Sequence, residues 1–214
     1  MPSWRESRGG RYRRVVPIDV VPATADRFGD VTQVLAPSGK AACWCMYYRM
    51  SSSEYGRVSG SGLPQAARSR GDVLRARLGQ PPAPGMLAYV DGTPVGWCGI
   101  GPRPEFERLQ RSRTIPAPAD PATWSVVCFL VRPGFRRRGV AAALLAGAVS
   151  YAQSSGAPAL EGYPVDAAGS RIDSTFAYVG TTRMFETAGF RWVAETNGHS
   201  AGRVRQVMRI DLGG

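Results

Sequence analysis

Apolar and polar positions change period several times along the chain, and each change marks an element. The run V-V-P-I-D-V-V, from about Val15 to Val21, predicts a first strand. A helix follows, which Asp26 helps to open and which ends before Pro37. After an aromatic stretch, Cys43-Trp44-Cys45-Met46-Tyr47-Tyr48-Arg49, the serines, glycines and arginine from Ser51 to Gly62 read as an exposed loop. Ala66, Val73, Leu74 and Leu78 recur at helical spacing between Gln65 and Leu78, among arginines that would face solvent. Met86–Val90 and Val95–Ile100 flank Asp-Gly-Thr-Pro and predict a hairpin, because Asp-Gly tolerates the positive φ angles of a tight turn. Glu105 to Arg111 reads as a short helix before a Pro-rich loop.

The segment W-S-V-V-C-F-L-V-R is almost continuously apolar, as a central strand covered on both faces requires. Gly139 leads from it into an Ala- and Leu-rich helix. A strand A-L-E-G-Y-P-V comes next, then a helix from Ser174 to Ala188 that Gly189 terminates. Strands near Phe190–Glu195 and Val204–Asp211 close a mixed α/β order, with no internal repeat.

Composition narrows the chemistry. At 214 residues and 43% hydrophobic content the chain is sized for one globular domain. Residues 1–14 carry five arginines and no apolar period, so they are expected as a flexible Arg-rich arm, with 15–214 as the domain. A twin-arginine export signal is disfavoured because Asp19 and two prolines interrupt the apolar stretch behind the arm. Net charge is +11 from 27 basic and 16 acidic residues, and Lys40 is the only lysine, which points to a phosphate-bearing partner. No apolar run approaches the ~20 residues of a membrane span. The single histidine, His199, lies in a polar stretch expected as a loop and has no nucleophile elbow beside it. Four cysteines without a C-x-x-C pair argue against a structural zinc or a disulfide framework, and they read as reduced thiols in a cytoplasmic protein. Lys40 is not in a phosphate-binding P-loop, and Gly99-Ile100-Gly101 lacks the third glycine of a dinucleotide fingerprint.

The most informative segment is F-L-V-R-P-G-F-R-R-R-G-V-A. A buried strand ends in an Arg-rich turn and a helix begins at Gly139. Amides at such a helix start, the helix dipole and the neighbouring guanidinium groups suit a pyrophosphate, although a solvated arginine turn is the plainer alternative. Here the chain resembles the GNAT family of acetyl-CoA-dependent N-acetyltransferases, whose hallmark R/Q-x-x-G-x-G/A is met by Arg136-Arg137-Arg138-Gly139-Val140-Ala141 after Phe129-Leu130-Val131. Arg183-Met-Phe-Glu-Thr-Ala-Gly-Phe190 is similar to the family's closing helix motif.

The resemblance implies a mostly antiparallel mixed α/β sheet, flanked by helices, whose fourth and fifth strands splay apart. It implies acetyl-CoA as acyl donor and no metal. The pantetheine arm would lie along Phe129 and Val131, the phosphates at Arg136–Ala141, and an amide at Val131 or a neighbour would polarise the thioester carbonyl. Glu161 is expected as the general base acting through water, against the alternative of a strand carboxylate paired with arginines. The family's tyrosine proton donor aligns with Phe185, which has no hydroxyl, so Tyr178 or Tyr163 would have to replace it, unless both are packing residues or the thiolate leaves unassisted. Trp44, Tyr47 and Arg49 border the expected acceptor cleft, where hydrophobic cover is an equal alternative, and Asp166 or Asp173 would meet a cationic acceptor. The acceptor is then an amine of a small molecule or protein. The competing reading, from the arm and the charge, is a nucleic-acid or ribosome-associated binding module on the same fold. A homodimer is left open.

Overall fold

The computed structural model describes residues 17–37, 43–59, 69–167, 177–200 and 202–213. The N-terminal arm, Lys40 and Asp173 lie outside them, as do residues 15–16 of the expected first strand. The elements run β1 (Ile18–Pro22), α1 (Phe28–Leu35), α2 (Ser52–Ser59), α3 (Arg70–Leu78), β2 (Gly85–Val90), β3 (Thr93–Pro102), α4 (Glu107–Gln110), β4 (Trp124–Val131), α5 (Val140–Ser154), β5 (Ala159–Gly162), α6 (Thr182–Thr187), β6 (Arg191–Ser200) and β7 (Arg203–Asp211). The strands form one seven-stranded sheet in the order β1-β2-β3-β4-β5-β7-β6. Every pairing is antiparallel except β4 with β5.

The β2–β3 hairpin turns on Asp91 and Gly92, both at positive φ, as the Asp-Gly signal requires. Helix α5 buries Val140, Leu144, Leu145, Ala148 and Ala152, one stripe at helical spacing, against one face of the sheet. Its approach is close. A Cβ added at Gly147 would lie 2.4 Å from the Val20 side chain, and one at Gly96 of β3 would lie 2.8 Å from Val140. The opposite face carries α1 and α3, with Val31, Val34, Leu74 and Leu78 packed on Leu87 and Trp97.

Three expectations need correction. The segment expected as a loop after Ser51 contains α2, because Ser51 and Glu54 cap each other: the Glu54 amide donates to Ser51 Oγ at 3.1 Å and the Ser51 amide to Glu54 Oε2 at 3.3 Å. Tyr55 and Val58 then pack on the α1–α3 cluster. The helix expected from Ser174 is cut short, since Gly180 adopts a left-handed φ of +79° and Thr181 is extended, so α6 starts at Thr182 with Thr181 as its cap. His199 belongs to β6, opposite Val204, rather than to a loop. Among the described residues no helix is long and apolar enough to cross a membrane.

Candidate functional site

Strand β4 pairs with β5 only through Trp124, Ser125 and Val126, ending at Val126 opposite Gly162. On its other side β4 continues against β3 as far as Val131, but the register slips: Ile100 faces Val126 and Gly99 faces Cys128, leaving Val127 as an extra, bulged residue. The bulge coincides with the end of the β4–β5 pairing. Beyond it, the β5-facing edge of β4 from Val127 to Val131 has no strand partner and can accept an extended ligand through its backbone.

That open edge leads to the Arg-rich turn. Gly134 and Gly139 have φ of +87° and +86°, and Arg137, at +61°, is a non-glycine held in the same left-handed region. Together they fold residues 132–139 back so that α5 begins beside the strand end. The Ala143 amide is the first to bond within the helix, to the Gly139 carbonyl at 2.9 Å, so helix geometry leaves the amides before it without intrahelical acceptors. Space at Gly139 is open, a Cβ there meeting nothing nearer than Ile18 Cδ1 at 4.0 Å. Arg136, Arg137, Arg138 and Gly139 are exposed, Val140 is buried in the α5 core and Ala141 is half-buried. Arg136 Nε donates to the Val131 carbonyl at 3.1 Å, and Arg138 stacks on Phe135. Phe129 is buried edge-on to Phe185, which fills the space over Gly162; Leu130 and Val131 are half-buried. The exposed Arg136 to Gly139 thus lie where the open β4 edge ends.

A cavity of about 760 Å³ opens on the sheet face opposite α5, lined by α4 and the chain after it, the tip of β6, Arg205 of β7, and Tyr47, Tyr48 and Tyr178. Tyr48 packs with Val127, Tyr163 and Val207 in one buried cluster, which brings the cavity wall to the β4 bulge. The short 3-10 turn bearing Tyr178 lies against β4 as well. Tyr178 is 37% exposed. Arg205 is buried, with Nη1 donating to Tyr48 Oη at 2.7 Å and Nε to the Tyr163 carbonyl at 3.0 Å. Burial pushes the Tyr48 hydroxyl pKa up, opposed by the Arg205 charge.

Of the described residues expected around the acceptor, Tyr47 lines this cavity and Trp44, Arg49 and Asp166 do not. Trp44, at a φ of +51°, stacks on Phe28 over Gly71. The Arg49 guanidinium donates to Glu105 and to the Pro84 and Ile100 carbonyls, tying the α1–α2 connection to the sheet. Asp166 is exposed, and its carbonyl accepts from Arg203. Glu161 sits at the paired, closed end of β5, opposite Ser125. It is 3% exposed, with oxygens 3.7 Å from Arg103 Nη1 and 3.6 Å from Arg209 Nη1, and it accepts from Tyr163 Oη at 3.4 Å. Burial raises its carboxyl pKa despite the two arginines. Tyr163 is completely enclosed, its hydroxyl bonded to Arg103 at 2.5 Å and Ser125 at 2.9 Å, and burial pushes it up to about 12.

The four thiols are free. Cys98 is a core residue whose Sγ reaches the Leu144 carbonyl, and burial raises its pKa. Cys45 lies over Gly99, and the Cys128 thiol beside it holds its own thiol below the usual range.

The acetyltransferase (GNAT) family model matches residues 46–168, more than half of the chain. The chain belongs to the GNAT acetyltransferase family. Among solved structures it is similar to yncA from Salmonella typhimurium with its cofactor acetyl-CoA, at 13% identity and a TM-score of 0.50, covering 92% of this chain and 94% of that one. It is also similar to diaminobutyrate acetyltransferase EctA from Paenibacillus lautus in complex with L-2,4-diaminobutyric acid and coenzyme A, at 13% identity, TM-score 0.50, covering 93% and 98%. A third likeness is an N-acetyltransferase from Staphylococcus aureus Mu50, at 15% identity, TM-score 0.52, covering 92% and 99%. At these identities the likeness is one of fold. No curated protein matches the sequence. The parted β4 and β5 and the turn into α5 are thus the GNAT frame. The cavity-lining Tyr48, Arg108 and Arg205 were missed because their segments are remote in sequence, and no local pattern joins them.

Proposed function

We propose that this GNAT protein transfers the acetyl group of acetyl-CoA directly to an amine, of a small molecule or protein, that enters the 760 Å³ cavity. The observation that carries the reading is the unpartnered edge of β4, which runs from the turn at the start of α5 to the bulge at Val127 beneath the cavity wall. A donor lying on that edge would have phosphates at one end and its thioester at the other, beside the acceptor.

Each residue then has a physical task. Amides of Gly139, Val140 and Ala141 and the Arg136–Arg138 guanidinium groups hold the phosphates. The β4 backbone from Phe129 to Val131 takes the pantetheine amides as a strand would. An amide near the bulge stabilises negative charge on the thioester oxygen as the amine nitrogen bonds to the carbonyl carbon. The carbon–sulfur bond then breaks, and Tyr178, which lines the cavity from a turn lying against β4, gives its proton to the departing thiolate. Glu161 enters as a positioning residue, because it is held by Arg103 and Arg209 and touches Tyr163, which packs with Tyr48 of the cavity wall. The amine proton passes to water at the cavity mouth.

The test is free-thiol release by the full chain with acetyl-CoA and a panel of primary amines, with acetylated product identified by mass. Amine-dependent release with matching product is the expected result. Tight acetyl-CoA binding with no amine-dependent release would overturn the transfer step, and no binding would overturn the donor assignment.

A further inference from the structure

Among the described residues three arginine side chains are buried, and two of them are balanced by carboxylates. Arg49 is paired with Glu105 at 2.5 Å, and Arg103 faces Glu161 at 3.7 Å. Among the described residues Arg205, 5% exposed, has no carboxylate partner; its two side-chain bonds go to a phenol and a carbonyl, and its buried Nη2 has no hydrogen-bond partner. An uncompensated buried guanidinium is costly, unless a ligand supplies the missing charge. Arg205 is also part of the cavity wall.

The rest of the wall repeats the imbalance. Among the described residues Glu107 is the one carboxylate lining the cavity, and Arg111 already neutralises it at 3.0 Å. Arg108 donates to the Met50 carbonyl and stacks on Tyr47 at 4.1 Å, and neither it nor Arg113 has a carboxylate partner among the described residues. The cavity is therefore positive at its buried end and at its rim, with tyrosine rings between. A cationic amine alone would be repelled there. A molecule carrying both an amine and an acidic oxyanion would place the anion on Arg205 and present the amine toward β4.

We propose that this cavity selects amine acceptors bearing a carboxylate or phosphate group, which Arg205 binds as counter-ion. The assignment rests on the acyl-transfer reading above, and its test separates the two. Matched pairs serve as probes: β-alanine with β-alaninamide, and phosphoethanolamine with ethanolamine. Binding is titrated calorimetrically in the presence of coenzyme A, and transfer is followed by thiol release with acetyl-CoA. The acidic member of at least one pair should bind, and be turned over by kcat/KM, about 10-fold or more better than its neutral partner, a typical gain for a charge-assisted hydrogen bond. Which pair shows the larger ratio distinguishes carboxylate from phosphate.

Arg205→Met should collapse that ratio by raising KM for the acidic amine while acetyl-CoA affinity, which also reports a folded chain, is retained. Should Arg205→Met fail to fold, Arg113→Gln at the exposed rim gives the same direction with a smaller change. Selective binding without transfer would leave the anion preference standing and remove the acyl-transfer reading. Equal binding or turnover of both members in both pairs, or a preference for the neutral ones, would overturn the proposal, as would the absence of any binding by the acidic probes.

Discussion

The turn at the start of α5 and the cavity on the opposite sheet face differ in how they are built. Residues 129–141 form the turn from one stretch of chain, with glycines at +87° and +86° setting its path and backbone amides as its binding groups. The cavity draws on the segment after α1, α4 and its following loop, the turn at Tyr178, and β6–β7. Backbone recognition of a phosphate needs a conformation, which a short motif can encode; recognition by side chains from remote segments needs the whole fold. The difference suits an enzyme that keeps one donor and adapts its acceptor.

The comparison is tested hardest at Gly139. A side chain there is strained by the positive φ, and a carboxylate would repel the phosphates, so Gly139→Glu should weaken acetyl-CoA binding by about 10²-fold or more in a calorimetric titration. Gly139→Ala adds mainly backbone strain of roughly 1–2 kcal/mol and should weaken binding about 10-fold. Equal effects of the two would mean that the site reads shape and not charge.

A second substitution should leave the turn untouched. Arg103→Met strips Glu161 and Tyr163 of a buried partner and should cost about 3–5 kcal/mol in urea unfolding, with acetyl-CoA affinity unchanged in the folded protein. A smaller effect is expected from Tyr178→Phe, about 10²-fold in kcat with the acetyl-CoA Kd unaltered, measured by thiol release. Unchanged kcat would remove Tyr178 as the acid and favour unassisted thiolate release.

The smallest effect concerns pH. Burial raises the Glu161 carboxyl above its ordinary 4.5, so the folded chain holds that proton more tightly than the unfolded one. The stabilising contribution is complete below 4.5 and is lost as pH rises through the raised folded value. The stability margin of the wild type over Glu161→Gln, from urea unfolding between about pH 4 and 7, should narrow as pH rises; a widening margin would show the arginines outweighing burial. Kinetically, a positioning role predicts that Glu161→Gln lowers kcat across the pH range without recovery at high pH, whereas loss of a base would be rescued there.

Much of the frame was legible in the sequence. The apolar run of β4, the Asp-Gly hairpin and the motif into α5 are local signals, and their elements stand where the pattern put them. Where reading by composition failed, the deciding interaction was a cap or a single backbone conformation. Ser51 and Glu54 make a helix out of a polar stretch, and Gly180 delays α6. The acceptor side was harder for another reason. In β7 the burial alternation opposes hydropathy, with Val204 37% exposed and Arg205 buried, so a rule that turns valine inward hides the arginine facing the cavity. Arg49 shows the reverse: an arginine in an aromatic segment suggested a clamp, and its three acceptors are Glu105 and two sheet-side carbonyls.

As proposed, the turn and the cavity are two ends of one site that meet at the β4 bulge. The most direct test of this arrangement is a calorimetric titration of coenzyme A whose sulfur is joined through a –CH2–CO– bridge to the amine of β-alanine, a molecule long enough to engage both ends. This molecule should bind at least about 10-fold more tightly than acetyl-CoA; Arg205→Met should remove that gain, and Gly139→Glu should weaken its binding by about 10²-fold or more, as for acetyl-CoA. Affinity no better than that of acetyl-CoA and indifferent to Arg205 would contradict the arrangement.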